Sequence, residues 1–384
     1  MVRICYALIV GLAGLLSFVS AHPGDTVKTE AATRAAYLRN IPVQSRSLTH
    51  CTEEFRKRGI DDTNFARREA AVRQLRKQRG LDTGAGYLKA RDFNSVLETD
   101  HRSNLKNVKP STDPRILFSS GGTCIVQPEV TQGPYYIAGE LIRRNVAEGQ
   151  AGVPLFLDIQ LIDTNTCDPL SGIYTDIWHC NSTGVYSGVV ASGNGNGNDT
   201  ANLQTTFLRG VQPSGHDGVV GFETIFPGHY TGRTTHIHVV THPANETQIL
   251  PNGTLSGMYN GKSSHVGQIF FDQDLITEVE KCHPYADNTQ DLLKNSEDSI
   301  LEAEAGNTDP VMEYVYLGKH ASDGIFAWIS IGINAKRDDD LSPEGYWTED
   351  GGEVNDNFSM NMAGLGSIGS MSATSIIASA TDSS

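Results

Sequence analysis

Short apolar runs, each bounded by glycine, asparagine, aspartate or proline, follow one another from about Ile116 to Ala335 and limit what this chain can fold into. Two examples are Leu155–Ile162 and Gly324–Ile331. Runs of this length that end at turn residues are typical of β-strands. About 220 residues are ample for one domain with a buried core. The sequence therefore predicts a mainly β chain, with a β-sandwich core at residues 116–335.

Residues 22–115 are predicted to form a helical and extended segment ahead of the sandwich. Its clearest helix is Thr52–Gly80, with Gly59 as an interruption and the final glycine as a stop. The apolar residues on roughly one helix face are Phe65, Val72 and Leu75. Residues 56–79 carry nine Lys or Arg. We expect this basic amphipathic helix to pack on the main domain or on a second subunit as a homodimer contact; binding to a membrane surface is the alternative.

The two ends of the chain carry different signals. Arg3, the apolar run Tyr6–Val19 and the small residues up to Ala21 form a pattern that signal peptidase accepts. Residues 1–21 are therefore predicted to be a signal peptide, and the mature protein to be secreted. Residues 336–384 are acidic and then rich in Gly, Ser and Met, which predicts a disordered tail.

Glycosylation sequons and cysteines agree with a secretory route. The sequons are Asn181, Asn198, Asn245, Asn252 and Asn357. Loss of the signal peptide removes Cys5 and leaves an odd number of cysteines, so at least one thiol is free or pairs outside the chain. Cys167 with Cys180 is one candidate disulfide, and Cys124 with Cys282 is the next, although spacing alone does not decide the pairing.

The net charge limits the classes of partner that the protein is expected to bind. The formal charge is −15, and removal of Arg3 makes it more negative by one. A surface with this excess of acidic groups repels nucleic acid and anionic membranes. We therefore expect neither as a partner, and no apolar run after the signal peptide is long enough to span a bilayer.

A candidate metal site lies in the segment Gly228–His238. In a strand, alternate side chains share a face, so His236 and His238 project to the same side. Tyr230 lies six positions before the first of these histidines, in a turn where a scaffold presents reactive side chains. Tyr186 supplies a second phenol upstream. Phenolate is a hard anionic oxygen donor suited to ferric iron, so two tyrosines and two histidines predict a non-haem Fe(III) site.

Three blocks of this sequence resemble the intradiol ring-cleavage dioxygenases, specifically their secreted fungal branch. The blocks are Gln132–Tyr136, Asp176–Tyr186 and Pro227–Val239. The resemblance covers about residues 120–335, and the last two blocks together are highly specific. It implies a β-sandwich enzyme that cleaves catechol-type rings between the two hydroxylated carbons, using O2, to give muconate-type diacids.

The resemblance also implies roles for individual residues. The iron ligands it implies are Tyr186, Tyr230, His236 and His238. Tyr230 would also act as a base when substrate displaces it from the metal, and Arg233 would face the substrate ring. Tyr135 or Tyr136 would line the pocket. In this chain Arg233 is followed by Thr-Thr, which differs from the intracellular catechol and protocatechuate enzymes. The resemblance therefore does not specify which diol is the substrate.

Two other functions compete with this interpretation. His236, His238 and His242 share a parity and would form a three-histidine Zn or Cu face if the strand continued that far. Alternatively, the fold could serve as a secreted metal- or aromatic-binding protein with little turnover. If Tyr186→Phe and Tyr230→Phe leave the metal occupancy unchanged, the three-histidine site is favoured. If the protein binds a diol without taking up oxygen, the binding protein is favoured.

Overall fold

The apolar runs form two four-stranded sheets. The computed structural model describes residues 48–82, 135–191, 193–196, 199–242, 249–255, 262–305, 309–337, 339–341 and 343–355. The first sheet contains β2 (Pro154–Asp163), β5 (Val219–Ile225), β9 (Glu313–Tyr316) and β10 (Ile325–Ile333), in the order β5-β2-β10-β9. The second contains β3 (Tyr174–Trp178), β4 (Arg209–Pro213), β6 (His236–His242) and β8 (His265–Phe270), in the order β4-β3-β6-β8. Only β2 and β10 pair in parallel within these two sheets.

The remaining described elements are short, apart from one helix. The helices are α1 (Thr52–Arg58), α2 (Ile60–Gln78), α3 (Gln273–Val279) and α4 (Ser299–Ala305). The other strands are β1 (Ile137–Ala138), β7 (Lys262–Ser263), β11 (Asp339–Asp340), β12 (Gly345–Thr348) and β13 (Gly351–Val354). Single turns of 3-10 helix occur at Thr49–Cys51, Thr200–Gln204, Tyr285–Asp287, Asn295–Glu297 and Ala321–Asp323. The predicted mainly β chain is confirmed.

The core lies between the two sheets. Leu155, Leu157, Ile159 and Leu161 alternate along β2 and pack into one cluster with Ile177, Ile237, Val239 and Ile269 from the second sheet. Each sheet therefore buries one face in the sandwich, as the period of two along a strand requires. The outer face of the first sheet is covered by α2, and the outer face of the second carries the candidate site.

The N-terminal helix packs on the sandwich as the sequence predicts. Gly59, with φ of 64°, ends α1 in the left-handed conformation, so the interruption is real. Phe65 and Val72 on α2 contact Val315 and Trp328 of the first sheet. The face predicted to be apolar is thus occupied by the chain's own domain.

A buried ion pair fastens the helix to the sheet. Asp158 on β2 accepts from Arg67 Nη2 at 2.9 Å and from Arg68 Nε at 3.2 Å. Arg68 is 1% exposed, and its guanidinium lies over the ring of Trp328. Burial disfavours the charged carboxylate, but the two arginines outweigh it and hold the pKa of Asp158 below its ordinary value. Burial lowers the pKa of Arg68, yet an arginine stays charged at neutral pH.

We expect Asp158→Asn to destabilise the protein by about 3 kcal/mol near neutral pH, because Arg68 is left buried without its countercharge. A carboxyl whose pKa is depressed by folding stabilises the protein above its ordinary pKa of 3.8 and loses that contribution as pH falls towards the folded-state value. The difference between wild type and variant should therefore shrink below that pH. Urea unfolding from about pH 3 to about pH 7 measures it.

Asp217→Asn is the matched control, because this more exposed carboxylate reaches Arg67 only at 3.5 Å. It should cost less than about 1 kcal/mol. Equal losses in the two variants, or a difference that does not change with pH, would contradict the role given to Asp158.

The disulfide differs from both sequence-based guesses. Cys51 bonds Cys167 across 116 residues of sequence and ties the start of α1 to the turn after β2. Cys180 is a buried free thiol beside the candidate site, and Cys282 is also free. The predicted pairs Cys167–Cys180 and Cys124–Cys282 are therefore wrong. Short sequence separation favoured the first, but the two residues belong to different clusters, beneath α1 and beside the site.

The segment after the sandwich folds back onto it. We call residues 341 and 343–355 the C-terminal strap. Its strand β12 pairs in parallel with β1, and Leu341, Tyr346 and Trp347 pack against the cluster that contains Tyr186 and Tyr230. The acidic composition after residue 335 hides these few apolar residues, so the predicted start of the tail is too early. Residues after 355 lie outside the described part of the chain.

Several other predictions also fall outside the described residues, namely the signal peptide at 1–21, Cys124 and the sequons Asn198, Asn245 and Asn357. Of the remaining sequons, Asn252 is exposed, whereas Asn181 is half-buried and its amide oxygen accepts from Thr183 and Val185. No helix within the described ranges is long and apolar enough to cross a bilayer.

Candidate metal centre

Two imidazoles meet on the outer face of the second sheet. His236 and His238 on β6 point to the same side, and Ile237 between them points into the sandwich core. Their Nε2 atoms are 3.1 Å apart. His236 Nδ1 lies 2.6 Å from the carbonyl oxygen of Thr234, so Nδ1 donates and Nε2 of the neutral ring carries the lone pair. Both histidines are at most 2% exposed.

Two phenol rings close around the imidazoles. The Tyr186 ring centroid is 5.6 Å from that of Tyr230 and 6.0 Å from that of His238. The ring centroids of Tyr230 and His236 are 5.6 Å apart. The Tyr186 hydroxyl is buried and has no hydrogen-bond partner among the described residues. The structure thus brings together all four residues predicted as ligands.

The donor set fits a trivalent metal ion. Two nitrogens that bind one ion at about 2.1 Å and about 90° apart stand about 3.0 Å from each other, close to the separation found here. A buried hydroxyl without a partner is costly in an apolar site and is explained if the oxygen binds a metal. Burial raises the pKa of Tyr186 well above its ordinary value, so only a strong neighbouring positive charge can hold it as phenolate.

Two alternative metal sites are not supported. His242 shares the face of His238, but four residues of strand separate them by about 13 Å, which excludes a shared ion. Its Nε2 instead lies 3.8 Å from Asp176 Oδ2. Among the described His, Cys, Asp and Glu, one close group of three exists, His50, Cys51 and Cys167. Its two sulfurs form the disulfide and offer no thiolate.

Arg233, predicted to face the substrate ring, is held in place by hydrogen bonds to an aspartate and a glutamine. Arg233 is fully buried, and its Nε donates to Asp298 Oδ2 at 2.8 Å. Its Nη2 donates to Gln268 Oε1 at 2.7 Å. Asp298 also accepts the backbone N–H groups of Ile300 and Leu301 at the start of α4. Burial opposes ionisation of Asp298, but Arg233 and these hydrogen bonds hold its pKa below the ordinary value.

An aromatic wall borders the centre. Tyr135 has φ of 70° and places its ring 4.8 Å from that of Tyr186. Tyr136 contacts Trp178, which stacks on His238 at 4.7 Å with an interplanar angle of 5°. Tyr135 therefore contacts the donor residues directly, and Tyr136 is connected to them through Trp178.

The strap holds this wall in place. Glu344 Oε2 accepts the backbone N–H of Tyr135 at 2.8 Å, and the backbone N–H of Glu344 donates to the carbonyl of Tyr136 at 2.8 Å. Burial raises the pKa of Glu344. The conformation of Tyr135, unusual for a residue with a side chain, is thus supported by a segment that sequence reasoning assigned to the tail.

Buried amides clamp the backbone at Tyr186. Asn194 accepts the Tyr186 N–H at 2.7 Å and donates to the Tyr186 carbonyl at 2.9 Å. Asn202 donates to the same carbonyl at 2.7 Å. Asn194 belongs to a stretch that alternates Gly and Asn from Gly193 to Asn198, yet its side chain is fully buried. The described part of this stretch, residues 193–196, folds inward and holds the backbone of Tyr186.

A second buried arginine, Arg209, binds the backbone at Ser187, next to Tyr186. Arg209 donates through Nε and Nη2 to the carbonyl of Ser187, at 3.1 and 2.7 Å. Glu140 lies 3.6 Å from Arg209, and burial outweighs the attraction of that cation and raises the pKa of Glu140 to about 8.

Sequence identity to a protein of known structure identifies the family. The intradiol ring-cleavage dioxygenase from Tetranychus urticae shares 32% sequence identity with this chain over 56% of this chain and 97% of that protein, with a TM-score of 0.45. Sequence identity at this level, over nearly the whole of that protein, is sufficient to assign the family. The chain belongs to the intradiol ring-cleavage dioxygenases.

Two further proteins of known structure share less sequence with this chain. The dioxygenase domain of a dioxygenase and carbohydrate-binding protein fusion from Streptomyces sp. SirexAA-E is 21% identical over 54% of this chain and 97% of that domain, with a TM-score of 0.34. Catechol 1,2-dioxygenase from Pseudomonas arvilla C-1 is 18% identical over 54% of this chain, which spans 62% of that enzyme, with a TM-score of 0.33. No protein-family model and no curated protein sequence matches the chain.

For this intradiol dioxygenase, the residues that sequence reasoning missed come from outside the ligand motifs. They are Asp298, Glu344, Asn194 and Asn202. None has a local pattern that marks it, because each acts through hydrogen bonds to another segment of the chain, and such bonds produce no repeat in the sequence. Gln268 on β8 lies opposite His238 on β6.

Proposed function

We propose that this protein is a secreted, non-haem Fe(III) dioxygenase that cleaves catechol-type aromatic rings between the two hydroxylated carbons to give muconate-type diacids. The supporting observation is the convergence of Tyr186, Tyr230, His236 and His238 in one buried cluster, with the two imidazole nitrogens 3.1 Å apart. Membership of the family supports ring cleavage as the reaction class. The substrate partners proposed are a small aromatic diol and O2.

Ferric iron, when bound, supplies an electrophilic centre that chelates a vicinal diol and activates its ring towards O2. The phenolates of Tyr186 and Tyr230 would offset part of its charge and stabilise the ferric state. Tyr230 Oη would accept a proton from the bound diol.

The buried surroundings complete the site. Arg233, fixed by Asp298, would stabilise negative charge on the ring by a few kcal/mol in a water-poor pocket. Tyr135 and Tyr136 would line the pocket and exclude water. Each of these groups is at most 1% exposed, so their electrostatic effects are screened little by solvent.

Oxygen-electrode assays with catechol, hydroxyquinol and ring-substituted catechols test this proposal. Iron-loaded protein should consume about one O2 per diol and place both oxygen atoms in the diacid, and chelation should stop the reaction. No oxygen uptake on any diol would contradict it. Diol binding with a colour change but without uptake would favour the aromatic-binding alternative.

A homodimer through the N-terminal segment is a further part of the proposal. Phe65 and Val72 already contact the sandwich, so a second subunit would meet the opposite, charged face of α2. Most of the exposed basic residues on α1, such as Arg56 and Lys57, already pair with Glu53 and Glu54.

A further inference from the structure

The two phenol ligands sit on separate loops that touch each other. We call residues 181–186 the Tyr186 loop and residues 228–232 the Tyr230 loop. Gly228 donates its backbone N–H to the carbonyl of Asn181 at 3.2 Å. A Cβ atom at Gly228 would lie 2.4 Å from that oxygen, so only glycine allows this approach. One backbone hydrogen bond therefore joins the two loops directly.

The side-chain amide of Gln290 supplies a second link between the loops. Its Nε2 donates to the carbonyl of Thr183 in the Tyr186 loop at 3.0 Å. Its Oε1 accepts the backbone N–H of Thr231 in the Tyr230 loop at 3.2 Å. Gln290 uses both ends of one planar group, so it fixes the separation of the two loops as well as their contact.

The bridging amide is itself held in place. The carbonyl of Gln290 accepts from His229 Nε2 at 2.9 Å, and its N–H donates to Asn288 Oδ1 at 3.1 Å. Asn288 in turn donates to the carbonyl of His229 at 2.8 Å. Gly184, with φ of 83°, makes room for the bridge, since a Cβ there would lie 2.2 Å from Gln290 Nε2.

We propose that Gln290 is a positioning residue that sets the distance between the Tyr186 and Tyr230 phenol oxygens and so tunes the metal centre. The inference rests on the proposed function and adds a residue that lies about 50 positions beyond the ligand motifs. Gln290 acts through the backbone on both sides of the site, one residue from Tyr230 and three residues from Tyr186.

Three variants test the proposal. Gln290→Leu keeps the approximate shape and removes both hydrogen bonds. Gln290→Glu keeps the acceptor for Thr231 and loses the donor to Thr183, which provides a milder change if the first variant folds poorly. Gln150→Leu is the matched control, because Gln150 is also half-buried and contacts Asn181 of the Tyr186 loop at 3.4 Å but not the Tyr230 loop.

The measurements are the Fe(III) dissociation constant by chelator competition, the visible tyrosinate-to-iron absorption, and thermal unfolding of the metal-free proteins. Gln290→Leu should weaken iron binding by about tenfold or more and shift the absorption maximum, with Gln290→Glu intermediate. Gln150→Leu should stay within about twofold of wild type in iron affinity, with an unshifted band.

The outcomes separate the inference from the proposed function. A wild type that binds no iron overturns both. If wild type binds iron with colour and Gln290→Leu has the affinity and absorption of Gln150→Leu, the inference alone is overturned, even if the variant unfolds at a lower temperature. In that case Gln290 only stabilises the fold.

Discussion

Tyr186→Phe is expected to reduce Fe(III) affinity by more than about 100-fold and to abolish ring cleavage, while leaving the metal-free protein at least as stable as wild type. The Tyr186 hydroxyl is buried without a hydrogen-bond partner among the described residues, so its removal costs no internal hydrogen bond. A metal ligand is expected to add nothing to the stability of the metal-free fold and yet to be required for metal binding. Chelator competition and thermal unfolding measure the two effects separately.

Tyr285→Phe is the matched control. Tyr285 is equally buried, but its hydroxyl donates to the carbonyl of Phe226 at 2.6 Å and accepts from the N–H of Val153 at 3.0 Å. The control should lose about 1–3 kcal/mol of stability and keep its iron affinity. Unchanged iron binding in Tyr186→Phe, or a large loss of metal-free stability, would contradict the ligand role.

Asp298→Asn is expected to destabilise the protein by about 3–5 kcal/mol, because it leaves the Arg233 guanidinium buried without a countercharge. Both side chains of this ion pair are 0% exposed, so solvent offers no compensation. Activity should fall as well, since the remaining amide no longer fixes the arginine beside the site. Urea unfolding and kcat/KM measure the two losses.

A double-mutant cycle isolates the charge effect. Arg233→Met removes the cation, and in that background Asp298→Asn should cost at most about 1 kcal/mol. Asp163→Asn serves as a control, because Asp163 accepts the backbone N–H of Asn165 in a turn and pairs with no cation in the described structure. Equal costs for Asp298→Asn in the two backgrounds would contradict the account of Arg233.

Periodicity and motif spacing predicted the sandwich, the break at Gly59 and the shared face of His236 and His238. These features follow from local rules, since alternation along a strand and the left-handed freedom of glycine act over a few residues. The family resemblance implied the convergence of Tyr186 with the histidines. In the structure, strand β3 pairs with β6 and brings Trp178 opposite His238.

The parts that sequence reasoning missed depend on contacts between distant segments. Cys51 meets Cys167 only because α1 packs under the turn after β2. Glu344 reaches Tyr135 only because β12 pairs with β1. Acidic composition pointed to a tail, but a few apolar side chains decide where the strap packs. A single hydrogen bond from an isolated residue leaves no periodic trace in a sequence.

The most direct test of the central claim is a titration of metal-free protein with Fe(III), followed by visible absorption. Convergence of Tyr186, Tyr230, His236 and His238 on one ion predicts saturation at about one iron per chain, with a tyrosinate-to-iron charge-transfer band. Protein that stays colourless, or that binds iron without this band, would contradict it.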